Sequence, residues 1–245
     1  MSGFVNWRQT EVLTERYVAV MLGDLGNTLL LMAQVPVIGG LICLSWSQSS
    51  PDSKLYFCVC LAAIFLGCMN ACREVVKERP LYQRERMVNL EIPAYIVSKA
   101  QVLCGLNAVQ CALLLGMVVH WVGLPGTKIF LFLSIWLGAM TGTMVGLCIS
   151  TAVKSSDQAV ALAPVALIPQ IIFTKMILPE GASHGIVEWI ERLNPLRWTH
   201  DLYEKVSDFA REPAWGECFK DAGVLLALVL VLLAAAMGIL WMQEE

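Results

Sequence analysis

The sequence predicts an all-α, polytopic membrane protein: six membrane-spanning helices, an N-terminal interfacial helix, a charged helical elbow and a helical re-entrant loop before the last span. Three observations predict it. Hydrophobic residues make up 57% of the chain and mean hydropathy is +0.65. Several apolar runs reach about twenty residues, the length that crosses ~30 Å of hydrocarbon at ~1.5 Å per residue. Charge is scarce, at 15% of residues, yet nine charged residues crowd between Arg73 and Glu91. Soluble classes are excluded, the net charge of -3 names no partner, and no basic arm points to nucleic acid.

From Asn6 to Asp24, Val12, Leu13, Tyr17, Val20 and Met21 fall near helical spacing, with Arg8, Glu11, Glu15 and Arg16 off that stripe. This predicts an interfacial helix over 6–24, the alternative being an extension of the first span. The opening MSGFVNWRQTEVLTERY has two Arg, two Glu and no continuous apolar core, so it does not read as a cleavable signal peptide. The first span is then the insertion signal.

Spans are expected at about Leu25 to Trp46, Leu55 to Cys72, Ala94 to Trp121, Ile129 to Val153, Ala159 to Leu178 and Ala222 to Met242. Pro36 and Gly39-Gly40 lie inside the first, where proline removes an amide donor and bends a membrane helix. Gly138, Gly142 and Gly146 recur every four residues along the fourth, baring one face for close backbone approach, within the subunit or between subunits. Six spans place both termini on one side. Arg8, Arg16, Lys154 and the elbow's Arg73, Lys77, Arg79, Arg84 and Arg86 make that side basic, against Lys54 and Lys128 in the opposite short loops. Termini and elbow are therefore expected in the cytoplasm, although Arg192, Arg197, Lys205, Arg211 and Lys220 of the long loop nearly restore the balance.

That loop, 179–221, is expected outside. Ile186, Val187, Ile190 and Leu193 form an apolar stripe opposite Glu188, Glu191 and Arg192, Asn194-Pro195 breaks it, and Trp189, Trp198, Tyr203 and Trp215 supply interfacial anchors. Short re-entrant or interfacial helices are expected; an ordinary surface loop is the alternative.

The elbow, 73–93, uses about twenty residues where a handful would turn the chain, which predicts a docking element for a soluble partner rather than a bare topogenic charge cluster. Pro80 suits the first turn of a short helix. Leu81, Tyr82, Met87, Val88 and Leu90 give that helix apolar contacts while Arg84, Glu85 and Arg86 stay wet.

Glu78, Tyr82, Glu85-Arg86, Tyr95 and Lys99 resemble, in order and spacing, the membrane domain of type-2 (ABC-2) ABC exporters, the G subfamily above all. So do Gln9, Leu13 and Arg16 of the lead-in helix, Ile168 to Phe173 of the fifth span, and Asn194-Pro195-Leu196-Arg197-Trp198 before the last. The likeness covers most of the chain. It implies a six-helix half-transporter whose coupling helix sits in a cleft of a cytoplasmic ATPase, through Glu78, Arg79, Tyr82, Arg84, Glu85 and Arg86. It implies a second transmembrane half, identical or not, a site in the plasma (inner) membrane if the source is bacterial, and alternating access driven by ATP and Mg bound to the ATPase. The chain itself is expected to bind no cofactor. Where many relatives carry Ser-Gly after the fifth-span Phe, this chain has Thr174-Lys175, so the outer end of its pathway is expected to differ.

No nucleotide or catalytic motif is visible. Gly123 to Lys128 reads GLPGTK, with the wrong spacing and order for a phosphate-cradling loop. His120, His184 and His200 are scattered, and no Gly-x-Ser-x-Gly or His-Glu-x-x-His occurs. Cys58, Cys60, Cys68 and Cys72 read as small hydrophobes of an apolar span, and no metal site is expected. Of nine cysteines only Cys218 falls in the long loop; a free or buried thiol is expected, the alternative being a bridge across a dimer, as in some relatives.

Formal charges near the spans sit at Lys99 and Lys175, toward their ends, and interior polar groups are amides: Gln34, Asn70, Asn107 and Gln170. A charged interior would mark an ion or proton route. Its absence favours an apolar or amphipathic cargo, with Phe65, Leu66, Asn70, Gln170, Phe173 and Thr174 as candidate pathway residues. An ATP-driven export permease is the function expected; a membrane scaffold or membrane-embedded enzyme is the alternative.

Overall fold

A computed structural model describes residues 6–178, 185–208 and 215–243, and all its regular structure is helical. Readings that fall on 1–5, 179–184, 209–214 and 244–245, His184 and Arg211 among them, lie outside the described residues.

Helix α1 (Trp7–Gly23) begins at Asn6, whose side chain accepts from the Gln9 amide, and buries Leu13 and Tyr17 from its apolar stripe. It is a helix of its own. Asp24 has a non-helical backbone and caps α2 (Leu25–Ser45) by accepting from Asn27, so the chain turns there rather than running on into the first apolar helix. Pro36 lies within α2, whose Val35, Gly39, Ile42 and Cys43 are buried.

Helix α3 (Ser53–Ala71) is the most deeply buried element, capped by Asp52. A 3₁₀ turn (Val76–Glu78) leads into α4 (Arg79–Arg86), with Pro80 in its first turn, and α5 (Ile92–Val122) carries the chain back. Helix α6 (Lys128–Ala152) packs along α3 at backbone distance. A Cβ on Gly142 would strike the carbonyl of Ile64, one on Gly146 that of Cys68, and one on Gly67 that of Ala139. Gly138 faces instead the side chain of Thr199. Three of these glycines thus let two backbones touch within one chain, where Gly67 had no sequence signal to mark it.

Helix α7 (Ser156–Ile172) is shorter than the fifth span expected from hydropathy, which ran to Leu178. Pro164 and Pro169 lie within it, and the Asn194 amide reaches back to the carbonyls of Gln170 and Phe173, at 2.7 and 2.9 Å, satisfying acceptors that another helical turn would have used. Helices α8 (Ile186–Leu193) and α9 (Pro195–Ser207) follow, and Asn194 also caps α9. Helix α10 (Trp215–Met242) starts seven residues before the expected sixth span. It buries Cys218, Asp221, Leu225, Val229, Ala236 and Leu240 along one face. Among the described residues, five helices are long and apolar enough to cross a membrane: α2, α3 together with the elbow, α5, α6 and α10.

Candidate coupling site

The elbow is held from four sides. Ser150, near the end of α6, accepts from the amides of Val75 and Val76 at 2.9 and 3.0 Å. Arg79 donates to the Val153 carbonyl at 2.7 Å and to Gln243 at the end of α10, while Gln243 donates to the Thr151 carbonyl at 2.8 Å. One guanidinium thereby ties the elbow to the last turn of α6 and the last residues of α10.

Toward α1 and α5 the contacts are charged. Lys99, on the second turn of α5, pairs with Glu78 at 2.6 Å and lies 3.6 Å above the Tyr17 ring. Tyr17 donates to the buried carboxylate of Glu74, which also takes Lys77 at 2.6 Å. Burial and the neighbouring Glu74 charge raise the Tyr17 pKa well above its ordinary value, so the phenol stays a neutral donor. Arg16 of α1 pairs with Glu85. The Tyr82 ring packs on Tyr95, centroids 5.0 Å apart.

The far end of the elbow closes on Asn89, whose φ of +68° is a left-handed conformation that asparagine tolerates better than most residues. Gln9 of α1 holds the turn from both sides: its amide donates to the Asn89 carbonyl at 3.2 Å and its oxygen accepts from the Glu91 amide at 3.0 Å. Arg86 donates to the Leu90 carbonyl at 2.6 Å.

Of the six residues expected to meet an ATPase, Glu78, Arg79, Tyr82, Glu85 and Arg86 are therefore engaged inside the chain, and Arg84 is the one fully exposed. The outward face is Pro80, Gln83, Arg84, Met87 and Val88, the last two 84% and 75% exposed. The apolar side chains expected to pack, Met87 and Val88, point outward, because Asn89 turns the chain before they can reach α5. The contacts of Glu74 with Tyr17, of Ser150 with Val75 and Val76, and of Gln243 with Arg79 lacked any sequence signal, since those partners lie scores of positions away.

The six candidate pathway residues do not share one cavity. Leu66 and Asn70 are 1% and 2% exposed and face neighbouring helices. Asn70 donates to Asn107 at 2.7 Å and to Gln110 at 2.6 Å; Asn107 donates to Thr143, and Gln110 to the Leu31 carbonyl at 3.0 Å. This buried amide cluster joins α2, α3, α5 and α6. Thr174 is buried and bonded to the Ile171 carbonyl, and Phe65 and Phe173 are half-buried. Gln170 lines a cavity of about 410 Å³ between α6, α7, α8 and α10, walled by Val145, Ile190, Leu193, Leu228 and Val231. Among the described residues no group of His, Cys, Asp or Glu is placed to hold a metal ion. All nine cysteines are unbridged, and Cys218 is buried.

Among the described residues the regular structure is all helical, with several apolar helices, and the chain belongs to the ABC-2 type transporter family, whose model matches residues 8–206, which makes it a transporter membrane domain. It is an integral membrane protein, a permease part rather than a catalyst. It is similar to the ABC transporter ATP-binding/permease protein of Mycobacterium tuberculosis, at 24% identity over 215 residues. The match takes in 78% of this chain and 24% of that protein, so the chain spans about a quarter of the length of its relative.

Proposed function

We propose that the chain is the permease of an ATP-driven exporter, working as a dimer of two transmembrane halves by alternating access. Its elbow, 73–93, docks into an ATPase that is a separate subunit or a detached domain and that binds the ATP and Mg. In this reading α7 is the sixth spanning helix, α1 lies at the interface, both termini are cytoplasmic and 179–221 faces outward. The observation that carries it is the two-sidedness of the elbow. Its inner face is bonded to α1, α5, α6 and α10, while Pro80, Gln83, Arg84, Met87 and Val88 are left for a partner. A load applied to that face is passed to four helices at once. The name of the M. tuberculosis relative, which joins ATP-binding and permease functions, supports the same reading. Cargo is proposed to be apolar or amphipathic, because the buried polar groups of α3, α5 and α6 are chiefly amides and hydroxyls.

The test is to replace Met87 and Val88 together by Asp. Both are exposed, so the fold survives, while apolar docking into a cleft does not. Co-purification of a Walker-motif ATPase from native membranes, and substrate-stimulated hydrolysis in proteoliposomes, should both fall at least tenfold. Unchanged capture and coupled transport in the double variant would remove the elbow from its assigned role.

A further inference from the structure

The buried amide cluster can be oriented atom by atom. The Leu31 carbonyl only accepts, so Gln110 gives it an N–H, at 3.0 Å, and turns its own oxygen to Asn70. The Thr143 hydroxyl donates to the Ala139 carbonyl at 2.9 Å and therefore accepts from Asn107, whose oxygen is left for Asn70 as well. Two acceptors thus meet Asn70 from α5, and they take both of its N–H groups, at 2.7 and 2.6 Å. The Asn70 oxygen has to point away from them, and among the described residues it has no hydrogen-bond partner. Asn70 is 2% exposed, and a buried amide oxygen is costly to leave unpaired.

Asn70 also lines a small, largely enclosed cavity between α1, α2, α3 and α5, with Thr28, Leu31, Glu74 and Leu103 around it. Its volume of about 20 Å³ exceeds the ~10–15 Å³ that one water needs and is far too small for a lipid or a drug-sized molecule. The hydroxyls beside it are committed elsewhere: Thr28 donates to the Met21 carbonyl at 2.8 Å, and Tyr17 to Glu74. Glu74, 6% exposed, takes Tyr17 on one carboxylate oxygen and Lys77 on the other. A carboxylate offers about four acceptor sites, so it has room for a further donor. Lys77 already supplies the positive charge that Glu74 needs, which makes the fitting occupant a neutral donor rather than a cation. Asp24 and Lys77, both exposed, also line the cavity and give water a way in.

We propose that this cavity is a binding site for one structural water, which donates one hydrogen to the Asn70 oxygen and the other to the Glu74 carboxylate. Two bonds are enough to hold a buried water, and no side chain of the cluster has to turn to make them. The water joins two networks that otherwise end separately. On one side is the amide cluster of α2, α3, α5 and α6; on the other are Tyr17 of α1, Glu74 and Lys77 at the start of the elbow. A single run of hydrogen bonds then leads from the elbow into the buried middle of the helix bundle.

The protein in nanodiscs is exposed to an X-ray pulse, which makes hydroxyl radicals from bulk and bound water alike, and the oxidised side chains are located by mass spectrometry. Leu103, 1% exposed, is out of reach of radicals from bulk water and should be oxidised by those from the bound one. Leu114, 0% exposed in the apolar core, should stay unlabelled. Asn70→Leu should lose the label on Leu103. Asn107→Leu breaks the same cluster but keeps the oxygen that holds the water, so there the label should remain. An unlabelled Leu103 in the unaltered protein overturns the proposal, whether or not Asn70→Leu folds. So does a label that survives Asn70→Leu or disappears with Asn107→Leu.

Discussion

Lys99 and Glu78 form an ion pair at 2.6 Å in which the lysine side chain is 3% exposed and the glutamate 17%. Beneath the ammonium lies the face of Tyr17, so one charge joins the elbow, α5 and α1. A pair so placed is held by mutual dependence: either charge alone would be desolvated without compensation.

Glu78→Gln should therefore cost about 3 kcal/mol, while combining it with Lys99→Met should recover most of the loss, since no buried charge remains. Thermal unfolding of the detergent-solubilised single and double variants measures this. A double variant no more stable than Glu78→Gln would show that the pair does not stabilise the junction. The same reasoning makes Glu78 and Glu85 poor probes of docking, because reversing either charge breaks a contact inside the chain.

Gly142→Ala drives a methyl group into the Ile64 carbonyl, and neither α3 nor α6 can give way without losing its partner. A loss of about 2 kcal/mol is expected for such overpacking. Gly116→Ala, with no atom within 4 Å, should instead gain roughly 0.5–1 kcal/mol from the lower backbone entropy of alanine. Melting temperatures moving in the same direction for both would contradict the backbone contact between α3 and α6.

His200 of α9 lies 3.1 Å from the Ser53 carbonyl and 3.2 Å from its hydroxyl. Burial acts to lower its pKa, but the contacts with Asp201 and the Ser53 carbonyl and the nearby Glu204 charge outweigh burial and raise it. The folded pKa then lies above the unfolded value of about 6.5. Its contribution is complete below that value and is lost as pH rises through the folded pKa. Asp201 is shifted the other way: burial would raise its pKa, but His200, Lys175 and Arg197 lower it, so its contribution is lost only as pH falls through that depressed value. Unfolding followed from pH 5.5 to 8.5 should show stability declining across the range, and His200→Gln should flatten the decline.

Asn107→Leu breaks the amide cluster at its centre and leaves Asn70 and Thr143 each short of a partner, with a loss of about 1 kcal/mol expected for polar contacts between membrane helices. Asn70→Leu should behave alike. A variant at Asn70 that altered which substrates move, at unchanged stability, would support its place in the transport pathway.

Much of the architecture was legible. Spans read from hydropathy agree within about two residues with the bounds of α2, α3, α5 and α6, because hydrophobic length is a local property. The reading faltered where a distant residue intervened. Helix α7 stops at Ile172 because Asn194, twenty-four positions from Gln170, takes its last carbonyls. Helix α10 begins early because Lys205 pairs with Glu217 and Asp221 and makes its polar first turns tolerable. The candidate site was legible as a segment and not as a surface. Its charges read as wet, yet most are paired, while the apolar Met87 and Val88, expected to pack, are bare.

The amino-acid sequence by itself determined that this is a helical membrane protein, where its apolar helices lie, and that a charged elbow starting near Pro80 interrupts them. Each follows from residues close together in the chain, through hydrophobic length, helical periodicity and the backbone chemistry of proline. Only the tertiary structure decided which polar groups meet: Tyr17 with Glu74, Arg16 with Glu85, Lys99 with Glu78. Those partners lie twenty-one to sixty-nine positions apart, and a pattern of residue types carries no term for which of several carboxylates a given donor will find.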